Sequence, residues 1–415
     1  MKTIRIPTQY WHGNSTLALK FPDRWNVRTC HMNGWNAPRL GDLQIRTRLA
    51  EPIHSESLRT LASKRTEAVV MFDDLTRPTQ CSRIVPHLLS ELARAGISDE
   101  HVRFVAALGA HCANNRADFV KKLGEEAVER FPIYNHTPFG NLRDIGTTKR
   151  GTPVQINSEV MACDLKVGIG CIIPHSMAGF SGGGKIILPG VASIESICHN
   201  HCDIGGECFG HLSPTGFGPV ENNDSRADID EAARMAGLDF KIDVIINERG
   251  EISGVFAGEP YEAWKRGVEV GKRTYLTDSP ADADVVIANA YLKENQAVAA
   301  MGIAAHAVRD GGTVVLIVNS PEGQNAHYLY GKFGKNLGGN LWSRPLSYSK
   351  KMTVIVHSRY KERDPLLEIA HPEHLIWTKT WGETIEAVAA STNASRPKVA
   401  VFPAAGIQVR SSAYQ

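Results

Sequence analysis

Apolar runs and helical periods alternate along the chain. Residues 67–73 (EAVVMFD) form a short, almost continuous apolar run, which predicts a strand buried on both faces. The turn Asp74-Leu75-Thr76-Arg77-Pro78 follows. Residues 82–95 (SRIVPHLLSELARA) then place apolar side chains at helical spacing, with Gly96 positioned as a cap. The unit recurs. Residues 101–108 predict a second strand leaving through Gly109-Ala110-His111, and 164–173 (DLKVGIGCII) a third ending in Pro174-His175. Residues 227–236 read as a helix with Asp228 and Asp230 in its first turn, and 240–256 as a hairpin turning at Asn247-Glu248-Arg249-Gly250. A new series opens after Thr277-Asp278-Ser279-Pro280, with strands at 283–290, 312–319, 352–357 and 398–402 and a helix at 294–308. Residues 328–351, rich in Gly, Asn, Ser and Lys, read as a long loop or a poorly packed helix pair.

Strands alternating with helices predict the α/β class with mostly parallel sheets. The break near 270–280 predicts two Rossmann-like α/β domains, 1–275 and 276–415. A chain of 415 residues with 42% apolar and 22% charged positions has enough material for two or three globular cores. A net charge of +2 supplies no field for holding nucleic acid or an anionic membrane surface. No apolar run is long enough to span a bilayer, and the opening MKTIRIPTQYWHGNSTLALKF lacks the apolar core of a signal peptide. Eight cysteines are too sparse for a disulfide scaffold, so the expectation is a cytoplasmic protein with free thiols or thiolate ligands.

The candidate chemistry is concentrated in one segment. His175, His199, His201 and His211, with Cys171, Cys198, Cys202 and Cys208, all fall between 171 and 211. Within it, Gly179-Phe-Ser-Gly-Gly-Gly184-Lys185 matches the first part of a phosphate-binding GxxxxGK loop, but Ile186 stands where Ser or Thr would hold magnesium. Backbone N–H groups here could cradle a phosphate, or the glycines could let helix and sheet pack closely. Lys185 can approach a ligand and form a covalent adduct. The Cys/His cluster suggests a transition metal without the clean spacing of a zinc site. His111 and His175 follow predicted strands, where open α/β sheets bind ligands, and a histidine pair suits proton transfer near neutrality. Arg77 offers a guanidinium for a carboxylate. Three function classes follow: an enzyme built on these histidines, a zinc-binding structural or interaction protein, and a nucleotide-binding enzyme that handles phosphate with Lys185.

Together, Asp74-Leu-Thr-Arg77-Pro78, Leu108-Gly-Ala-His111, and Pro174-His175-Ser-Met-Ala-Gly-Phe-Ser-Gly-Gly-Gly-Lys185-Ile-Ile-Leu-Pro-Gly190 with His201 resemble the nickel-dependent lactate racemase family. The order continues through Gln296-Ala297-Val298 to Trp381. The resemblance implies two α/β domains with the active site in the cleft between them. It also implies a nickel-pincer nucleotide tethered to Lys185, with His201 as the nickel ligand. Asp74, Ser181, Gly182, Gly183 and Gly184 would lie on the cofactor side. His111 and His175 would be catalytic bases, and Arg77, Asn295, Gln296 and Trp381 would contact the substrate. The partners implied are a small 2-hydroxy acid and the maturation enzymes that load the cofactor. The implied reaction inverts C2 by proton-coupled hydride transfer through a 2-keto acid. Family members with lactate activity commonly carry Tyr and Lys where this chain has Asn295 and Ala299, and Arg-Pro where it has Cys112-Ala113. These departures point to a 2-hydroxy acid other than lactate, larger or polyhydroxylated.

Overall fold

A computed structural model describes residues 1–205, 220–329, 348, 350–362, 369 and 374–410. Two six-stranded sheets organise it. In the first, the order is Ile252–Gly258, Phe240–Ile246, Leu165–Cys171, Ala68–Asp73, Val102–Ala107, Ile133–Asn135. All neighbours are parallel except the Ile252–Gly258 edge, which returns as the expected hairpin. The second sheet is wholly parallel, in the order Leu375–Thr378, Met352–His357, Val308–Ile317, Ala283–Asn289, Lys398–Phe402, Asn26–Thr29.

Parallel strands need crossover connections that cover both sheet faces, and apolar runs without alternation are what such strands require. The packing shows it directly. Val70 and Phe72 join the core on one face of the first sheet, while their neighbours Val69 and Met71 join a separate core on the other. In the second sheet Val286 and Ala288 pack on one face, and Val285 and Ile287 on the other. The helix Val85–Arg94 forms where its period predicts, and Gly96 beyond its end takes a left-handed φ of +95°.

Two elements depart from the sequence reading. The helix expected over 294–308 is interrupted. Glu294–Ala300 is a tighter 3-10 segment in which Gln296 leaves helical geometry (φ −138°, ψ 55°), and a regular helix begins only at Met301–Ala307. Val308 already belongs to the following strand. The second departure is at the start of the chain. Lys2–Thr8 and Ser15–Phe21 form a hairpin, and Asn26–Thr29 pairs with Lys398–Phe402 at the edge of the second sheet. That edge pairing joins segments some 370 residues apart, so no local pattern announces it. Cys208, His211 and most of 328–351 lie outside the described residues. Among the described residues no helix is long and apolar enough to cross a membrane.

The first sheet also buries an ion pair: Lys241 Nζ lies 2.5 Å from Asp243 Oδ1, both side chains essentially inaccessible. The other Asp243 oxygen accepts the Gly183 N–H at 2.7 Å. Replacing Asp243 by Ala strands a buried ammonium and a backbone donor. Urea denaturation should show Asp243→Ala losing about 3–5 kcal/mol, a loss too large for a surface pair.

Candidate active site

The parallel strands Ala68–Asp73, Val102–Ala107 and Leu165–Cys171 lie side by side, and the first residues beyond their carboxyl ends carry the site. Asp74 directly follows the first strand, His111 lies four residues past the second, and His175 four past the third. The interrupted segment after the Ala283–Asn289 strand of the second sheet adds Gln296.

Five side chains close a ring of hydrogen bonds. His111 Nδ1–H donates to Asp74 Oδ2 at 2.5 Å. The Thr76 hydroxyl donates to Asp74 Oδ1, and Arg77 Nη1 donates to that hydroxyl oxygen at 2.8 Å. Arg77 Nη1 also donates to Gln296 Oε1 at 3.1 Å, and Gln296 Nε2 donates to His111 Nε2 at 3.2 Å. The donors run from Arg77 to Asp74 along both arms of the ring, so the tautomer is determined by the network: His111 carries its proton on Nδ1 and has its lone pair on Nε2. Burial pushes the Asp74 carboxyl up, but the His111 and Arg77 charges and the Thr76 bonds outweigh it and hold it well below the usual carboxylate range. Below the ring, the buried Lys122 ammonium pairs with Asp73 at 2.8 Å and donates to the Arg77 carbonyl at 2.6 Å. That contact holds the turn against the sheet.

His175 has the opposite polarity. Its Nδ1 accepts from the backbone N–H groups of Met177 (3.2 Å) and Ala178 (3.3 Å), which leaves the proton on Nε2. Burial, then the charges of Lys185, Arg77 and Lys293, hold it well below the ordinary histidine value. Lys185 is also buried, and its Nζ makes no hydrogen bond among the described residues. Burial, then the charges of Arg77, Arg226 and Lys293, hold its pKa well below that of a free lysine. His201 sits in a π-helical turn, His199–Ile204. Its Nδ1–H donates to Asn200 Oδ1 at 3.1 Å, while Asn200 Nδ2 donates to buried Asp228 at 2.8 Å. Nε2 is left as a lone pair, which is how proteins orient a metal-binding imidazole. Burial, then the Lys185 and His111 charges, keep that ring neutral.

The glycine turn does something other than cradle a phosphate. Gly182 (φ +83°) and Gly183 (φ +56°) take left-handed conformations, and a Cβ on Gly183 would lie 2.3 Å from Arg226 and 2.8 Å from Trp264. The Gly183 N–H is already taken by the Asp243 carboxylate. Ser181 spends its hydroxyl on the Cys171 carbonyl at 2.6 Å. Arg226 lies 3.5 Å over the Trp264 ring and donates to the Gly182 carbonyl, and Trp264 Nε1 donates to the Ser181 carbonyl. Ser181, Gly182, Gly183 and Gly184 therefore form a close-packed clamp that presents Lys185, with a protein carboxylate where a phosphate cradle would bind its anion.

Two further residues have roles other than those expected. Asp74, expected on the cofactor side, is engaged with His111 and Thr76. Trp381 is not brought to the ring. Its indole packs on Phe21 and His357 and donates to the Lys20 carbonyl, tying the N-terminal hairpin to the second sheet. Asn295 lies beside Gln296, and its carbonyl accepts the Asn325 N–H at 2.8 Å. Sequence reasoning missed Thr76 as a ring member, although it lies inside Asp74-Leu-Thr-Arg77-Pro78, and Asn200 as the partner of His201. It also missed His327, whose ring is 5.2 Å from that of His111, and Lys293. Cys198 and Cys202 face each other at 3.5 Å, and burial pushes the Cys202 thiol up to about 12, far from a ready metal thiolate. Among the described residues no three His, Cys, Asp or Glu side chains are grouped as a metal site.

Because the folded Asp74 carboxyl is depressed, its stabilisation is present above the ordinary carboxylate pKa and lost as pH falls toward the folded value. Asp74→Asn should cost about 3 kcal/mol at pH 7. Thermal melts across pH should show the gap to the unsubstituted protein narrowing below about pH 4.

Comparisons with known proteins identify the family and the fold. Residues 12–207 match the lactate racemase N-terminal domain. The lactate racemase of Thermoanaerobacterium thermosaccharolyticum is 30% identical over 338 residues, covering 80% of this chain and 77% of that one. The lactate racemase of Lactiplantibacillus plantarum is 34% identical over 290 residues, covering 68% and 67%. The apoprotein structure of the T. thermosaccharolyticum lactate racemase superposes with a TM-score of 0.72 at 25% identity, covering 99% of this chain and all of that one. A Thermotoga maritima protein shares the fold at a TM-score of 0.66 and 18% identity. The chain belongs to the lactate racemase family and is an enzyme of the racemase type.

Proposed function

We propose that this enzyme inverts C2 of a 2-hydroxy acid other than lactate, in a site formed between the two sheets' ends. One observation carries the reading: the hydrogen-bonded ring sets His111 as a proton acceptor beside an arginine. Inversion at C2 requires the carbon to become planar and be refilled from the other face, while the hydroxyl proton leaves and returns. Arg77 binds the substrate carboxylate. His111 Nε2 takes the hydroxyl proton once substrate displaces the Gln296 amide, and Asp74 stabilises the imidazolium that results. His175 meets the oxygen from its own side with Nε2–H. Its two long backbone bonds must loosen before that ring can accept a proton from the opposite enantiomer.

The residues present fit a nickel-pincer nucleotide. Lys185 supplies a buried amine, lowered in proton affinity and without a hydrogen bond among the described residues, for the covalent tether, and His201 an oriented Nε2 for the metal. When bound, that group supplies a reversible hydride acceptor, a chemistry no side chain of this chain provides. Loading it is the task of separate maturation enzymes.

Substrate choice follows from what stands near the ring. Asn295 and Ala299 leave more room than a tyrosine and a lysine. Cys112 Sγ donates to Asn325 Oδ1 at 2.8 Å, and Asn325 Nδ2 is buried without a partner among the described residues. Spare amide donors suit a hydroxylated chain such as that of a sugar acid.

Protein matured with the loading enzymes should exchange stereochemistry at C2 of at least one acid in a panel of larger and polyhydroxylated 2-hydroxy acids, followed by chiral chromatography. His111→Asn should lower that rate by about a hundredfold or more. Mass spectrometry should find added mass on the Lys185 peptide, absent in Lys185→Ala. A panel without any exchange by fully loaded protein would refute the reading.

A further inference from the structure

Lys293 is the largest charge at the site that the foregoing chemistry does not use. It is 6% exposed, and its Nζ has no hydrogen bond or ion pair among the described residues. Its position is built. Leu292 before it adopts φ +76°, a conformation costly for a branched side chain. The Lys293 N–H bonds back to the Ala290 carbonyl at 2.8 Å, and its own carbonyl accepts the Gln296 N–H at 2.9 Å. The stem lies on Gly406, where an added Cβ would meet Lys293 Cβ at 3.1 Å, Cγ at 3.5 Å and Cδ at 3.6 Å. A strained turn and a glycine thus direct an ammonium into the neighbourhood of Arg77, His175 and Lys185, all of which sense its charge.

The local anions are already committed. Asp74 serves His111 and Thr76, and Asp73 serves Lys122 and Thr79. Cys171, the other group that favours the Lys293 charge, is a buried thiol pushed up to about 12 and stays neutral. Arg77 has spent Nη1 on Thr76 and Gln296. A carboxylate has two oxygens, and this site holds two cations with unused donors and no free protein anion.

We propose that Lys293 is a substrate-binding residue whose ammonium, together with Arg77, clamps the C1 carboxylate of the 2-hydroxy acid. The assignment rests on the proposed reaction and deepens it, placing a cation on the opposite side of Gln296 from the position where Ala299 has none. Burial and the Arg77 charge push the free lysine down to about 7, so the arriving carboxylate also draws a proton onto the amine.

The test compares Lys293→Met and Lys293→Arg with the unsubstituted protein in two assays. In cofactor-loaded enzyme, Lys293→Met should raise KM by roughly ten- to a hundredfold with kcat changed far less. Lys293→Arg should recover most of the affinity and lose the fall in kcat/KM that the lysine imposes above about pH 7. In cofactor-free protein, thermal melts with millimolar lactate, malate or gluconate should show a carboxylate-induced rise in Tm that Lys293→Met lacks. Lys293→Met itself should melt no lower than the unsubstituted protein, because it removes an uncompensated buried charge. Unchanged KM and an unchanged carboxylate response in Lys293→Met would overturn the assignment while leaving the proposed reaction standing. So would a low Tm in both variants with kcat and KM falling together, the mark of a structural lysine. A defect confined to dicarboxylic acids would overturn the C1 assignment. Absent turnover by loaded, unsubstituted enzyme would defeat the proposed reaction, and the cofactor-free melts would then decide Lys293 alone, a missing carboxylate response counting against it.

Discussion

One buried carboxylate orders the site. Asp74 sits at the end of a central strand, out of water, with both oxygens occupied. A buried anion persists only if its lone pairs are met and its charge is answered, and here those demands recruit the Thr76 hydroxyl, the Arg77 guanidinium and the His111 ring. Satisfying Asp74 determines which nitrogen of His111 keeps its proton. That determines which nitrogen faces Gln296, and the amide orientation in turn aims its oxygen at Arg77. The chain of consequences crosses from one sheet to the other through two hydrogen bonds, beside an apolar seam in which Tyr291, Leu292, Ala404, Ile407 and Val409 join the core of the first sheet.

The rest of the site carries charge in the opposite balance. Arg77, Lys185 and Lys293 crowd a region where the nearby carboxylates Asp73 and Asp74 are already engaged, and the Arg77 charge lowers the proton affinity of both lysines. Such an arrangement costs stability in the empty protein and is relieved by an anion. Burial and these neighbouring charges together lower the proton affinity of Lys185. The glycine clamp contributes rigidity to the same end. Arg226, Trp264 and Asp243 hold the backbone of Ser181 through Gly184 from three sides, so that Lys185 projects from a fixed point.

Much of this was legible before folding was considered. Strand after strand reads correctly because both faces of a parallel sheet are buried, which is what a run such as Val69-Val70-Met71-Phe72 requires. The histidines that follow those strands fall where open sheets bind ligands. The misreadings have equally physical causes. A Gly-rich loop ahead of a lysine looks like a phosphate cradle because the sequence does not show which anion sits on the backbone, and here it is Asp243, sixty residues away. Trp381 looked like a substrate contact from its order in the chain, yet its partners Phe21 and Lys20 come from the opposite end of it. Gln296 was placed inside a helix because periodicity does not register the single residue that leaves it.

The amino-acid sequence by itself determined the α/β class and the strands whose ends His111 and His175 follow, because apolar periodicity and short motifs are local properties. The tertiary structure alone decided what those residues are chemically. Protonation state and tautomer depend on burial and on partners remote in the chain: Gln296 for His111, Arg77 and Arg226 for Lys185, Asp228 acting through Asn200 for His201. Lys293 shows the difference most plainly. In the chain it is one of 46 basic residues, and only the fold buries it without an ion pair among the described residues.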